Sequence, residues 1–168
     1  MKIAVAGSIA RDHLMTFPGH FTDSIVPDSL DSLSLSFLVD GLEIRRGGTG
    51  ANISFGLGVL GINPLLITAA GHDFSDYQSW LQRHGVDTSH VRISQDLLTA
   101  SFTCTTDRNL RQIASFFPGA MVESREIELA AIVEKTGKFD LFVISPDDPE
   151  AMVRHTESAR TLGIDFVA

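Results

Sequence analysis

The sequence predicts an α/β fold: a three-layer, doubly wound, mostly parallel sheet with a small β-sheet lid formed by two inserted hairpins. Three observations predict it. Short apolar runs without polar alternation, "KIAVAGSIA", "PLLITAAG" and "KFDLFVISP", read as strands buried on both faces. Helical patterns separate them, as a parallel sheet requires. Two segments near 33–46 and 99–117 alternate polar and apolar residues instead. Such strands fit poorly inside a doubly covered sheet, and a separate small sheet over its carboxyl edge is expected.

In chain order, residues 2–10 read as the first buried strand. An irregular segment follows over 13–32, with Pro18, Gly19 and Pro27. "LSLSFLV", 33–39, places Leu33, Leu35 and Phe37 on one face and Ser34 and Ser36 on the other. Asp40-Gly41 is a plausible hairpin turn, with "LEIRR" returning. In "TGANISFGLGVLG", Ile53, Leu57 and Leu60 share a helical face. Gly56 and Gly58 weaken that helix intrinsically, which suggests close packing. Residues 64–71 form another buried strand, 73–85 an amphipathic helix ending at Gly85, and "HVRI" a short strand. "TASFTCTT", 99–106, pairs with "RQIASFFPG", 111–119, across Asp107-Arg108-Asn109. A helix over about 124–136, the strand "KFDLFVISP", the helix "DPEAMVRHTESARTLG" and a last strand "IDFVA" complete the pattern. That last strand has no polar tail, and the expectation is that these 168 residues are the front portion of a longer chain.

Composition narrows the function classes. The length suits one domain with a real core, and 43% hydrophobic content is ordinary for a soluble globular protein. With 21 acids against 13 bases and a net charge of −8, a broad nucleic-acid face is not expected. No run of 18 apolar residues suggests a membrane span, and Arg11-Asp12-His13 interrupts any secretory pattern, so a cytoplasmic protein is expected. Cys104 is the only cysteine, which rules out an intrachain disulfide. The six histidines are scattered singly, without metal-site spacing.

In open α/β sheets, ligands sit beyond the carboxyl ends of the strands. Ser8 and Asp12 follow the first strand; Gly47, Gly48 and Asn52 open the glycine-marked helix; Gly71, His72 and Asp73 follow the next strand, and Asp147 and Asp148 a later one. A carboxylate at Asp12 can accept two hydroxyl hydrogen bonds from a vicinal diol. Asn52 can donate and accept together. Gly47 and Gly48, lacking Cβ, let backbone amides touch a ligand. Together they describe a sugar cradle. The plain alternatives are a helix cap for Asn52, a turn for the glycines and a solvated loop for Asp12. "RRGGTGAN" is no Walker loop, since no lysine follows the glycines, and it lacks the third glycine of a dinucleotide fingerprint. Phe102, Phe116 and Phe117 could sandwich a flat base. Because Phe116 and Phe117 point oppositely, one of them is expected in a small core beneath the lid.

The segments "GSIARDHLMTFPG", "SLSFLVDGLEIRRGGTGAN", "GVLG", "AAGHDFSDYQSWLQRHGVD" and "FTCTTDRNLRQIASFFPGAM" carry a resemblance. The chain resembles the ribokinase-like (PfkB) carbohydrate and nucleoside kinases, and within them the adenosine kinases of actinobacterial type. "SLSFLVD" and "QIASFFPGAM" favour that subgroup. The resemblance covers essentially the whole chain but only the front half of the family's length. It implies transfer of the γ-phosphoryl group of ATP, with Mg2+, to the 5′-hydroxyl of adenosine. It further implies that Asp12 holds the ribose hydroxyls with Gly48 and Asn52 beside it, and that Ser8 lines the purine–ribose pocket. Ser36 would reach the ligand from the lid, and Phe102 and Phe116 would flank the adenine. A homodimer through the lid sheet is a possible assembly. The family's Gly-x-Gly-Asp segment, which supplies the general base and anion hole, does not occur within 1–168. No catalytic residue is therefore assigned, and this chain alone is expected to be inactive. The other readings are a different ribokinase-like sugar or nucleoside kinase, or a truncated protein that only binds nucleoside or dimerises.

Overall fold

The computed structural model describes residues 1–25, 31 and 34–168. Part of the expected irregular segment and Leu33 lie outside them. The strands are β1 (Ile3–Ala6), β2 (Ala10–Thr16), β3 (Gly41–Gly47), β4 (Leu65–Ala70), β5 (Val91–Ile93), β6 (Ala100–Thr106), β7 (Gln112–Phe117), β8 (Leu141–Ile144) and β9 (Phe166–Val167). The helices are α1 (Phe21–Ser24), α2 (Thr49–Val59), α3 (Ser75–Arg83), α4 (Leu129–Thr136) and α5 (Pro149–Thr161), with a 3-10 helix over Gly119–Glu126. The chain divides into two compact units. Unit 1 is Met1–Ala10, Gly47–Ala100 and Pro118–Ala168; unit 2 is Arg11–Arg46 and Ser101–Phe117. Among the described residues no helix is long and apolar enough to cross a membrane.

Unit 1 is built on a five-stranded sheet of order β5-β4-β1-β8-β9, and its pairings are parallel. The period of two along β4 explains its all-apolar reading. Leu65 and Ile67 join one core with Leu129, Ile132, Phe142 and Ala159; Leu66 and Ala70 join another with Ala51, Phe74, Tyr77 and Leu81. With α4 and α5 contributing to the first core and α2 and α3 to the second, both faces of the sheet are covered. β1 lies between β4, which follows it through α2, and β8, which comes late in the chain. The winding direction reverses at β1, so the loop after β1 is the switch point where such sheets bind ligands.

Unit 2 carries a four-stranded sheet of order β3-β2-β6-β7. Here the structure corrects several expectations. Residues 34–39 are not a strand; the partner of β3 is β2, which occupies the start of the segment read as irregular. The alternation in "SLSFLV" is nevertheless real, with Leu35, Phe37 and Val39 half-buried and Ser34, Ser36 and Leu38 exposed. Phe37 packs on Phe17 and Phe21 at centroid distances of 5.0 and 4.9 Å. A period of two reports which side is buried, not whether the backbone pairs. The β6–β7 hairpin forms as expected, its loop organised by Asp107. That carboxylate accepts from the backbone N–H of Phe21 at 3.1 Å, Asn109 at 2.8 Å and Arg111 at 2.9 Å. Phe116 and Phe117 are both about half exposed, at 49% and 51%, so neither is a core residue. The expected helix at 124–136 is two elements, the 3-10 helix and α4.

α5 starts where its sequence says it should. Asp148 is the N-cap, accepting from Glu150 and Ala151 N–H at 3.1 Å each, and Pro149 takes the first helical position. Its buried stripe is Ala151, His155 and Ala159. His155 is 2% exposed, lies edge-on to Phe142 at 6.0 Å, and its Nε2 has no hydrogen-bond partner. Burial, with the Arg154 charge assisting and Glu128 opposing, lowers its pKa to about 4. An unfolded histidine titrates near 6.5, so as pH falls the unfolded chain takes up the proton first. The stabilisation from neutral His155 is complete above that pH and is lost between it and the folded value, about 2 kcal/mol of it by pH 5. The denaturant midpoint of His155→Gln is expected to fall less than that of the parent between pH 7 and pH 5. Parallel pH profiles would contradict this.

Candidate functional site

Most of the residues singled out around "RRGGTGAN" meet in unit 1, at the carboxyl end of β1. Gly48 is the N-cap of α2, with φ +94°. A Cβ there would lie 2.4 Å from the Ser8 carbonyl oxygen and 2.7 Å from Ala10 N and Ile9 Cα. A Cβ on Gly50 would lie 2.5 Å from the Gly7 carbonyl. The glycines therefore let the first turn of α2 rest directly on the backbone that leaves β1. This answers the turn alternative with something more specific: a backbone-to-backbone approach. Gly47 is buried, and its carbonyl accepts from the Tyr77 hydroxyl at 3.0 Å. Asn52 is exposed in the first turn, its N–H bonded to the Gly48 carbonyl at 3.0 Å. Since Gly48 is the cap, Asn52 is not, and its side chain stands on the exposed side of the helix start.

Ser8 is 9% exposed. Its Oγ accepts from Thr49 N–H at 3.1 Å and lies 3.2 Å from Thr49 Oγ1. Its carbonyl accepts from Ala51 N–H at 3.2 Å. The hydroxyl thus satisfies one of the N–H groups that a helix start leaves unpaired. The loop after β8 closes the arrangement. The Pro146 carbonyl accepts from Ser8 N–H and from Thr49 Oγ1–H, both at 2.9 Å, and Ser145 N–H bonds the Ala6 carbonyl at 2.8 Å. Sequence reasoning gave no site role to Thr49, Tyr77 or Pro146. Only the fold brings positions 8, 49 and 146 together, so no local pattern could have found them.

The other polar residues at these strand ends do structural work. Asp73 Oδ1 accepts from Thr99 N–H at 2.8 Å and Thr99 Oγ1–H at 2.7 Å, and Gly71 N–H bonds Thr99 Oγ1 at 3.0 Å. Asp148 caps α5 and pairs with Arg125 at 2.5 Å. Asp147 differs. The residue is half-buried, but its Oδ2 has neither solvent contact nor a hydrogen-bond partner. Oδ1 accepts from Asp148 N–H at 2.8 Å. Burial pushes the carboxyl up to about 7, against the Asp148 N–H and the Ser124 hydroxyl, with the Asp148 charge adding to the rise.

In unit 2, Asp12 lies on β2, not in a solvated loop, and is half-buried. Burial raises its pKa, and the adjacent His13 partly offsets that. Ser36 is exposed. Phe102 and Phe116 are direct register partners across the hairpin, so their rings share one face; Phe117 opposes Ser101 on the other. Phe102 is half-buried, Phe116 more exposed.

A family model described as pfkB family carbohydrate kinase matches residues 10–167. The chain is 30% identical over 159 residues to a nucleoside kinase of Methanothermobacter thermautotrophicus, covering 92% of this chain and 51% of that protein. It is 31% identical over 131 residues to a nucleoside kinase of Methanocaldococcus jannaschii, covering 75% and 39%. Among solved structures, Burkholderia thailandensis nucleoside kinase in complex with inosine is similar at TM-score 0.79 and 32% identity, over 98% of this chain and 50% of that one. The chain spans about half the length of the curated relatives it matches.

Proposed function

The chain belongs to the pfkB family of carbohydrate kinases, and from that membership we propose that its residues form the acceptor-binding portion of an ATP-dependent nucleoside kinase. The acceptor is a purine nucleoside, phosphorylated on its 5′-hydroxyl. Inosine is bound by a relative; adenosine is the narrower reading, and it rests on the "SLSFLVD" and "QIASFFPGAM" segments alone. The observation that carries the proposal is the helix start laid on the switch point of the sheet, where Gly48 meets the Ser8 backbone and Asn52 remains exposed. In this reading Asp12 accepts from the ribose hydroxyls, and Ser8, Gly47, Gly48 and Asn52 are the acceptor-binding residues of unit 1. Ser36 contributes a hydroxyl, and Phe102 and Phe116 offer paired rings to the base. A free sugar would need no such rings. Phosphoryl transfer also needs a base and charge stabilisation of the moving group. We assign neither to residues 1–168. ATP and Mg2+ are the family's donor and metal; among the described residues no group of three or more His, Cys, Asp or Glu could hold a metal ion. We also propose that two copies pair through unit 2, which exposes Leu42 and Ile44 on β3 and Ile113 and Phe117 on β7.

Calorimetric titration with adenosine, inosine and ribose tests the proposal. Both nucleosides are expected to bind more tightly than ribose. Hydrogen bonds to a charged acceptor contribute about 1.5–3 kcal/mol each, so Asp12→Ala should weaken nucleoside binding at least tenfold with the fold intact. Tighter binding of ribose, or an unchanged constant in Asp12→Ala, would overturn the assignment.

A further inference from the structure

We propose that Thr49 is a positioning residue that fixes the direction of the Ser8 hydroxyl, so that Ser8 meets the acceptor nucleoside only as a hydrogen-bond acceptor and selects a ligand group that donates. The inference rests on the nucleoside reading for its ligand, but its origin is a count of protons within unit 1.

Each hydroxyl carries one proton and two lone pairs, and a carbonyl carries no proton. Thr49 Oγ1 lies 2.9 Å from the Pro146 carbonyl and 3.2 Å from Ser8 Oγ. The shorter contact is nearer the usual O–H···O distance, and its other oxygen cannot donate. The Thr49 proton therefore points to Pro146, leaving Thr49 Oγ1 to accept. Ser8 Oγ then donates its own proton to Thr49 Oγ1. It already accepts from Thr49 N–H at 3.1 Å. One lone pair of Ser8 remains and no proton does. The direction is locked further because the Pro146 carbonyl is filled from both sides, by Ser8 N–H and Thr49 Oγ1–H. Reversing the chain would leave Pro146 with one donor and give the Thr49 proton only the longer, 3.2 Å contact to Ser8. A ligand hydroxyl or amine can donate to the remaining lone pair. A fluorine or an unsubstituted ring carbon in the same place cannot.

The test uses the chain with adenosine, its 2′-deoxy-2′-fluoro and 3′-deoxy-3′-fluoro analogues, and purine riboside, each titrated against the parent, Thr49→Val and Thr49→Ser. Valine keeps the shape and removes the hydroxyl, which frees the Ser8 proton; serine restores the hydroxyl. At least one analogue is expected to bind the parent and Thr49→Ser at least tenfold more weakly than adenosine, with the penalty below threefold in Thr49→Val. Equal penalties in all three proteins for every analogue would overturn the proposal, because lost stability alone weakens all ligands alike. A ligand-free measurement separates this from failure of the nucleoside reading. The Ser8 hydroxyl proton, followed by NMR in serine-labelled protein, should exchange with water at least tenfold more slowly in the parent and Thr49→Ser than in Thr49→Val. Equal exchange would overturn Thr49's role even if nucleoside binds. Protected exchange with no nucleoside binding would leave Thr49 fixing Ser8 and discard both the nucleoside reading and the ligand selection inferred from it.

Discussion

Gly48→Ala is expected to destabilise the protein by about 2–6 kcal/mol, among the largest effects of any single methyl group in this chain. Two costs combine. The residue sits at φ +94°, a conformation that costs a side-chain-bearing residue roughly 1–3 kcal/mol. The new Cβ would also lie 2.4 Å from the Ser8 oxygen and 2.7 Å from two more backbone atoms. Backbone cannot rotate aside as a side chain does, and overpacking of this kind costs roughly 1–3 kcal/mol more. The same helix supplies the control. Gly56 is exposed, and a Cβ there meets nothing within 4 Å. Gly56→Ala should therefore stabilise by roughly 0.5–1 kcal/mol through helix propensity alone. Urea denaturation of the three proteins checks both. Similar midpoints for Gly48→Ala and the parent would mean that α2 does not rest on the β1 exit.

Asp147→Asn should stabilise the protein by up to about 4 kcal/mol at pH 8 and by less than about 2 kcal/mol at pH 5. The sign follows from the raised pKa. An unfolded aspartate ionises near 3.8, whereas burial holds folded Asp147 at about 7. Between those values the folded state keeps a proton that the unfolded state has released. Stability from this group is complete below the lower value and is lost as pH rises through the upper one. Asparagine has nothing to ionise. The comparison is best made from pH 5 to 8; His155 is present in both proteins, so its own titration cancels in their difference. Thermal or urea unfolding across that range measures it, and a difference between variant and parent that does not grow with pH would show that Asp147 ionises freely.

Much of the scaffold was legible from pattern. The β4 run "LLITAA" shows no polar alternation, its one polar residue Thr68 being fully buried, because both its faces meet helices, and the helix that follows it, α3, carries a clear stripe with Tyr77 and Leu81 buried. β2 was not legible. "ARDHLMT" mixes charge and apolar residues because it lies in a thin sheet where most of its positions are half-buried, and period two fades when neither face is fully covered. The sequence pattern ran the end of the 3-10 helix into α4 from about residue 124; Ser124 is in fact buried with its Oγ bonded to Ala69 N–H at 3.1 Å. Around the β1 exit, residue types singled out Ser8, Gly48 and Asn52, since small and amide side chains near strand ends are few, and the structure places Gly48 against the Ser8 backbone. Their roles were less accessible. Whether a glycine admits a ligand or another backbone depends on what lies within 3 Å, and that is a property of residues 7–10 meeting residue 48. Thr49 and Pro146 had no signal at all, being 97 positions apart.

β1 is made before β4 and β8 and lies between them in its sheet. Its pairing with β8 joins residues 3–6 to residues 141–144. During synthesis at roughly 5–20 residues per second, β1 waits on the order of ten seconds for that neighbour to be translated. Through that interval one long side of an apolar strand, and the Ala6 carbonyl that Ser145 later engages, have no partner from their own chain. The order in which the ribosome delivers these segments thus makes the sheet's central strand its most exposed intermediate, and early chaperone contact is expected to concentrate on the first ten residues.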